Sequence, residues 1–536
     1  MLHRAARISF VSALMLASAC TETGMSAAPL PDDPTWTRIT EGVDRFLDRA
    51  EALDEYAPGV AVVIVDDEGR QYIRMHGVLN EKTQTAATED SAFYIASMTK
   101  AYMGLLAARL DAEGILKLDT VLTDYWPDVV MPEGVRPASQ ITLRDLITHQ
   151  IPVRISEITF LEAYLRDVAP EEYPGLINKY AEAREEGFRY DNLGYNIYAA
   201  ILQAKTGRNW RDWLDEGVFT PLGLDHTSGR ASDFPPADVA WGHVRKFGHE
   251  DPVWVQTDDW FVIPPKTDGK MQSAGGLMTT ANDMAAWLRA NLNKPAKGGL
   301  TPMMFEAAQA QGAAQEGDGD GFSCDGYAFG WNRCEYLYRA AEGETAPDFG
   351  LLLQHGGGYI GHSTYMTVAR DMGLGVAVFY NSDNVTAYLG LELTKEALER
   401  AKDLPQSEEQ TQKRLTRFTD LNKRYAEYNK KRLGDARADA QWGGWNWAPS
   451  TEDLAGFAGT YVDDDAMIDR LSVDVSGNGL LLQAYELTYR FDPAVMDVFG
   501  GHAEPFDPPE KIEFRRDDEG AITGFAWDDD FYVRQP

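Results

Sequence analysis

Apolar residues recur along this chain of 536 residues with two periods, and the order of those periods outlines an architecture. Residues 36–53 carry the helical spacing of an amphipathic helix. Residues 60–65 form an unbroken apolar run, Asp66-Asp67-Glu68-Gly69 a polar turn, and residues 71–77 a second strand. Met98, Met103, Leu105, Leu106 and Leu110 return to helical spacing, with Gly114 as the stop. From about 120 to 293 the pattern is mainly helical with long irregular stretches, and residues 141–149 and 280–292 read as capped helices. Strand character returns at 327–331, 351–355, 361–369 and 374–380, with Asp371-Met372-Gly373 as a hairpin turn. A helix over 387–402 follows. Two strands, a helical insert, four strands and a helix predict an α+β domain. Its strands, drawn from both ends, form one antiparallel sheet flanked by helices, and the insert forms a second, helical lobe. A cleft between sheet and lobe is the natural place for a site.

The pattern changes twice more. Residues 403–440 are rich in Gln, Glu, Lys, Arg and Asp, as in a solvated helix or linker. Gln441-Trp442-Gly443-Gly444-Trp445-Asn446-Trp447 then brings three tryptophans together, which suits packing between two domains better than stacking on sugars. Beyond 451 the strands are short and alternating, as in Leu471-Ser472-Val473-Asp474-Val475, with tight turns such as Ser476-Gly477-Asn478-Gly479. These features predict a small all-β barrel or half-barrel. The expected division is 1–19, an export signal; 20–35, a tether; 36–402, the sheet-and-lobe domain; 403–450, a helical linker; and 451–536, the barrel.

Composition adds limits. Apolar residues make up 44% and charged residues 25%, as in a soluble globular protein. The formal net charge of −34 argues against nucleic acid or an anionic membrane surface as a partner. At the N-terminus, His3, Arg4 and Arg7 precede an apolar run over 8–16 and Ala17-Ser18-Ala19, the pattern of a cleaved export signal. Cys20 directly after that site is a lipidation candidate, although Leu16 stands one position further away than the usual lipobox places it. Export to a bacterial periplasm, with a lipid anchor at Cys20, is the expectation. The other two cysteines, Cys324 and Cys334, either pair in an oxidising compartment or stay free thiols. Neither lies in a metal-ligand pattern, and Gly317-Asp318-Gly319-Asp320-Gly321 lacks the later ligands of a calcium loop.

Three short patterns, each occurring once, carry the candidate chemistry. Ser97-Met98-Thr99-Lys100 opens a helix, which puts hydroxyl and ammonium one turn apart on one face. A base then sits beside a nucleophile, and the Ser97 N–H, free at the helix start, can hold an oxyanion. Tyr190-Asp191-Asn192 follows on a loop. A phenol beside a lysine can relay a proton, and the Asn192 amide can donate to a substrate carbonyl and accept from its N–H. His355-Gly356-Gly357 ends a strand, and the run through Gly358 allows a ligand close to the backbone, with the Gly358 N–H as second oxyanion donor. Taken singly, each pattern also has an ordinary structural reading: a helix cap, a packed aromatic, a glycine-rich hairpin.

Together, in this order and rough spacing, the three patterns resemble the serine β-lactamase and penicillin-recognising superfamily. Within it the chain is most similar to the branch of class C β-lactamases, D-aminopeptidases and family VIII esterases (S12-like peptidases). Supporting segments lie at 141–149, 193–200 and 274–284, and the C-terminal segment looks like the lipocalin-like domain appended to several members. The resemblance covers residues 36–402. It implies a β-lactamase/transpeptidase-like fold and an acyl-enzyme mechanism: Ser97 as nucleophile, Lys100 and Tyr190 moving protons, Asn192, His355 and Gly357 binding substrate, with no metal or cofactor. The substrate implied is a small molecule or short peptide: an amide, a D-amino-acid peptide or an ester. One departure matters. Efficient β-lactamases of this family carry Lys-Thr-Gly where this chain has His355-Gly356-Gly357, and the missing Lys and Thr bind the antibiotic carboxylate. Strong β-lactamase activity is therefore not expected. A D-alanyl-D-alanine carboxypeptidase or weak β-lactamase is the alternative enzyme, and an inactive penicillin-binding or sensor protein the alternative of another class.

Overall fold

A computed structural model describes residues 32–536 except 54–55, 249–254, 341–342, 344, 384–385, 405–407 and 504–508. The expected export signal and Cys20 lie outside the described residues. The first helix, Pro34–Ala50, starts two residues before its expected position because Asp33 caps it, accepting the Thr35 amide at 2.8 Å.

The centre of the molecule is a nine-stranded sheet in the spatial order Ala313–Gly319, Phe322–Tyr327, Asn332–Tyr336, Leu352–Tyr359, His362–Ala369, Leu374–Tyr380, Gly59–Asp66, Gln71–Asn80, Thr85–Ala86. The strands pair antiparallel, and the N-terminal strand joins the C-terminal ones through the register Val60↔Tyr380 to Asp66↔Leu374. The α+β layout expected from the sequence is the one adopted. Gly59–Asp66 is apolar without alternation because both of its faces are covered. Val60, Val62 and Ile64 pack on Val43 and Phe46 of Pro34–Ala50 and on Leu389 and Leu393 of the helix Thr386–Ala401. Ala61, Val63 and Val65 face the opposite layer, which holds Leu105 of the helix Thr99–Ala112 and Met284 and Leu288 of the helix Ala281–Asn293.

Two local readings need correction. Residues 327–331 are not a strand: Tyr327 ends one strand, Asn332 begins the next, and Gly330 turns between them at φ +79°. A Cβ on Gly330 would come within 2.2 Å of the Lys100 carbonyl carbon, so this turn sits directly on the Ser97-to-Lys100 segment. The insert also holds a β-ribbon, Gly242–Gly248 paired with Val255–Ile263, among its helices.

The helix Glu408–Arg437 is fixed to the sheet domain by Arg414, whose guanidinium spans Glu392 (2.9 Å), Glu396 (3.3 Å) and Glu399 (2.7 Å). At its far end Trp442 is buried against Ala494 and Val498, and the Trp447 ring meets Phe457 and Phe499, so the tryptophans join helix to barrel. The C-terminal strands form a closed eight-stranded barrel, Gly459–Val462 through Asp530–Arg534, sealed by Tyr461↔Arg534 and Val462↔Val533. Its interior is filled by Phe457, Tyr461, Phe499, Phe514 and Phe525. The turn at Tyr485–Glu486 rests on the helical lobe: the Glu486 amide donates to the Leu165 carbonyl at 3.3 Å, and Thr267 bonds the Glu486 carboxylate.

Candidate active site

Ser97 does not begin an α-helix. It lies in a short 3-10 turn, Ala96–Met98, that feeds the helix Thr99–Ala112. Ala96 before it has φ +45°, a strained backbone conformation for a residue with a side chain. The surroundings hold that strain in place. Thr99 Oγ1 donates to the Ala96 carbonyl at 2.6 Å and accepts the Leu277 amide at 3.1 Å, and Thr364 Oγ1 donates to the Ile95 carbonyl at 3.1 Å. The first amide with a bond inside the turn is that of Met98, to Ile95 O. The Ser97 amide, one residue earlier, has no acceptor within the turn.

Lys100 is fully buried, and its Nζ has three neighbours: Ser97 Oγ at 3.1 Å, Asn192 Oδ1 at 2.8 Å and the Ala274 carbonyl at 2.7 Å. Burial pulls its pKa down to about 7, partly offset by the Asp191 carboxylate. Near neutral pH half of the amine carries no proton, and its lone pair can then face Ser97 while two N–H bonds stay on Asn192 and Ala274.

Tyr190 and Asn192 stand on the loop before the helix Leu193–Thr206. Tyr190 is 47% exposed. Loss of water around its phenol raises its pKa above the usual tyrosine range, a rise partly offset by a hydrogen bond to Ser97. The ring centroid lies 5.0 Å from Lys100 Nζ. Asn192 does not cap its helix. Asp191 takes that task, accepting the Leu193 amide at 3.0 Å, and this leaves Asn192 for the lysine.

The strand Leu352–Tyr359 brings His355 and the glycines to the same place. Pairing with Asn332–Tyr336 stops at Gln354, whose carbonyl accepts from Asn332 Nδ2 at 3.2 Å. By strand alternation the amides of Gly356 and Gly358 share that edge, beyond the reach of the neighbouring strand. Gly357 packs its α-carbon under the segment that leads into Ser97: a Cβ would meet Ile95 O at 2.3 Å. A Cβ on Gly358 would meet nothing within 4 Å. His355 is buried at 3% exposure and burial lowers its pKa to about 3, so it is neutral. Nδ1 lies 2.6 Å from the Gly356 carbonyl and Nε2 3.3 Å from the Tyr327 hydroxyl, so both nitrogens are engaged within the protein.

Ser97, Lys100, Tyr190, Asn192, His355 and Gly357–Gly358 thus converge on one point. Cys324 and Cys334 stand apart from it, cross-strand partners joined by a disulfide. Two participants were not singled out from sequence. The Ala274 carbonyl is a main-chain atom without a residue signature. It is presented by a turn in which Met271 and Gln272 have φ +64° and +32°. His149 ends a segment that the sequence marks as supporting, and it reaches the loop of Tyr190. Among the described residues no His, Cys, Asp and Glu are grouped to hold a metal, and no helix is long and apolar enough to cross a membrane.

Comparison with known proteins bears on the family and the fold. Residues 43–401 match the protein family described as Beta-lactamase. The chain is 26% identical over 361 residues to penicillin-binding protein 4 of Amycolatopsis lactamdurans, which covers 64% of this chain and 86% of that protein. Among solved structures, the octameric penicillin-binding protein homologue from Pyrococcus abyssi aligns with a TM-score of 0.55 at 19% identity, over 92% of this chain and all (100%) of that one. The D-amino acid amidase of Ochrobactrum anthropi SV3 aligns with a TM-score of 0.52 at 21% identity, over 69% of this chain and 99% of its own. At these identities the two structures speak for the fold alone.

Proposed function

The chain belongs to the Beta-lactamase family, whose fold is that of serine hydrolases, and on that footing we propose that it is an exported hydrolase cleaving a small amide, D-amino-acid peptide or ester through an acyl group on Ser97. The observation that carries this reading is the buried Lys100 amine, 3.1 Å from Ser97 Oγ and with its pKa pulled down to about 7. A lysine placed and desolvated in this way is a base.

In this reading neutral Lys100 takes the Ser97 proton as Oγ bonds to the substrate carbonyl carbon. The carbonyl oxygen becomes an oxyanion, held by the N–H groups of Ser97 and Gly358. The proton passes through the Tyr190 hydroxyl to the leaving nitrogen or oxygen as its bond to carbon breaks. Water then enters the vacated position and gives a proton through Tyr190 to Lys100 as its oxygen bonds to the acyl carbon. Lys100 returns that proton to Ser97 Oγ as the acyl–Oγ bond breaks, releasing the acid and leaving free Ser97 and neutral Lys100. Asn192, anchored on Lys100, can meet the substrate amide with its Nδ2 donor.

Substrate choice follows from His355. A neutral, buried imidazole with both nitrogens engaged supplies no positive charge for a carboxylate. This favours acyl groups without a carboxylate over β-lactam antibiotics. The similarity in fold to a D-amino acid amidase makes D-amino-acid amides a substrate class to try first. Export is supported by the basic and apolar start of the chain and its Ala17-Ser18-Ala19 site, with Cys20 as the residue an anchor would modify. A panel of p-nitrophenyl esters, D- and L-amino-acid p-nitroanilides and nitrocefin tests the reading. Turnover of esters or D-amides well above nitrocefin supports it, and no turnover of any of them with wild-type protein overturns it.

A further inference from the structure

His149 is 1% exposed, and its backbone is in the left-handed region at φ +56°. That conformation is costly for a residue with a side chain and persists only where the surroundings impose it. The histidine does not satisfy its own side chain in return: Nε2 meets no partner among the described residues. A histidine kept merely as core would pair both nitrogens or give way to an apolar residue. What it does satisfy is the loop of Tyr190. The His149 carbonyl accepts the Arg189 amide at 2.8 Å, and its Nδ1 accepts the Asp191 amide at 3.2 Å. These are the amides on either side of Tyr190. The imidazole also lies against the Tyr190 ring itself, centroid to centroid 4.6 Å. Because Nδ1 is an acceptor here, the ring proton sits on Nε2. Burial, with Lys100 and His355 nearby, holds the ring neutral and so keeps that acceptor available.

We infer that His149 is a positioning residue for Tyr190, a two-point clamp whose carbonyl and Nδ1 hold the neighbouring amides so that the phenol stays on Ser97. The left-handed backbone turns the carbonyl and the ring towards the same loop, which explains a strained residue at this position. Tyr190 needs such a support because it is half exposed and lies on a loop, outside any helix or strand. The inference rests on the acyl-enzyme reading only in what the clamp is for; the clamp itself can be tested without turnover.

Three variants separate the clamp from its alternatives. Asn places an amide oxygen where Nδ1 stands and tolerates positive φ, so His149→Asn keeps the acceptor. His149→Gln moves its polar atom to the place of Nε2, and His149→Gly relieves the backbone but removes the acceptor. Fluorophosphonate labelling of Ser97 and hydrogen exchange of the peptide spanning 189–191 are the two readouts. His149→Asn is expected to label within about threefold of wild type, and His149→Gln and His149→Gly at least about tenfold slower. Exchange at 189–191 should speed up in the Gln and Gly variants and stay protected in the Asn variant. Wild-type labelling and protection in His149→Gly, or an Asn variant as impaired as Gly, overturns the clamp. If wild-type protein fails to label at all, the acyl-enzyme reading fails, and the exchange pattern still decides whether His149 holds the loop.

Discussion

Lys100 is the residue whose chemistry can be followed as a number. With its pKa drawn down to about 7, about 10% of the amine is neutral at pH 6, about half at pH 7 and about 90% at pH 8. In the proposed mechanism acylation uses only the neutral form, so the rate of Ser97 labelling should climb about tenfold between pH 6 and pH 8 and level off above. The same ionisation acts on stability. The amine titrates at about 7 in the fold, against an ordinary value of 10.5 for the unfolded chain. Between those values the unfolded chain holds more protons, so stability rises with pH. From pH 7 to pH 9 the gain assigned to this one group is about 2 kcal/mol. Lys100→Met carries no such term. The difference in unfolding free energy between wild type and variant should therefore shift by that amount over the same interval, whatever the variant loses in hydrogen bonds at Asn192 and Ala274. The assays are labelling kinetics from pH 6 to pH 9 and denaturant unfolding of both proteins at pH 7 and pH 9. Labelling that is flat from pH 6 to pH 8, or a stability difference that does not move, would refute a desolvated base at this position.

Other outcomes follow from particular contacts. Gly357→Ala places a methyl 2.3 Å from Ile95 O and 2.4 Å from Thr364 Oγ1. It should cost about 1–3 kcal/mol in thermal or denaturant unfolding and slow labelling by displacing the segment that carries Ser97. Gly358→Ala opens onto free space and should melt as wild type does. Glu162, buried in the helical lobe, has its carboxyl pushed up to about 8 by burial. The contribution of this group should thus fall as pH rises from 5 to 8, and the stability difference between wild type and Glu162→Gln in unfolding experiments should move against wild type over that interval. Removing the Cys324–Cys334 disulfide, which closes a loop with a sequence separation of 10, should cost about 2–3 kcal/mol in unfolding experiments and leave ester turnover nearly intact.

What the sequence made legible, and what it did not, divides along physical lines. The unbroken apolar run at 60–65 and the strands at 351–380 could be read because burial on both faces writes itself into side-chain type. Capped helices within 141–149 and 280–292 could be read because caps need an oxygen at a fixed offset; the structure puts the caps at Thr142 and Thr280, which accept the amides of Asp145 and Asp283. The segment 327–331 reads as a strand because Tyr, Phe and Trp favour strands, whereas the positive φ of Gly330 and its contact on Lys100 make it a turn. The ribbon at 242–263 lay hidden within a helical stretch, and closure of the barrel depends on Tyr461 meeting Arg534, a pairing no local pattern announces. At the site, the spacing of Ser97 and Lys100 was visible, since one helical turn is a local fact. The Ala274 carbonyl was not, because any residue carries one. Nor was the use of His149, which depends on a left-handed backbone that a histidine does not advertise.

The most direct test of the central proposal is intact-mass and peptide mass spectrometry of the protein after reaction with a fluorophosphonate, run beside Ser97→Ala. One adduct per chain, mapped to Ser97 and absent from the variant, is the expected result. An adduct that persists in Ser97→Ala, or a wild-type chain that stays unmodified between pH 7 and pH 9, contradicts Ser97 as the acylated nucleophile.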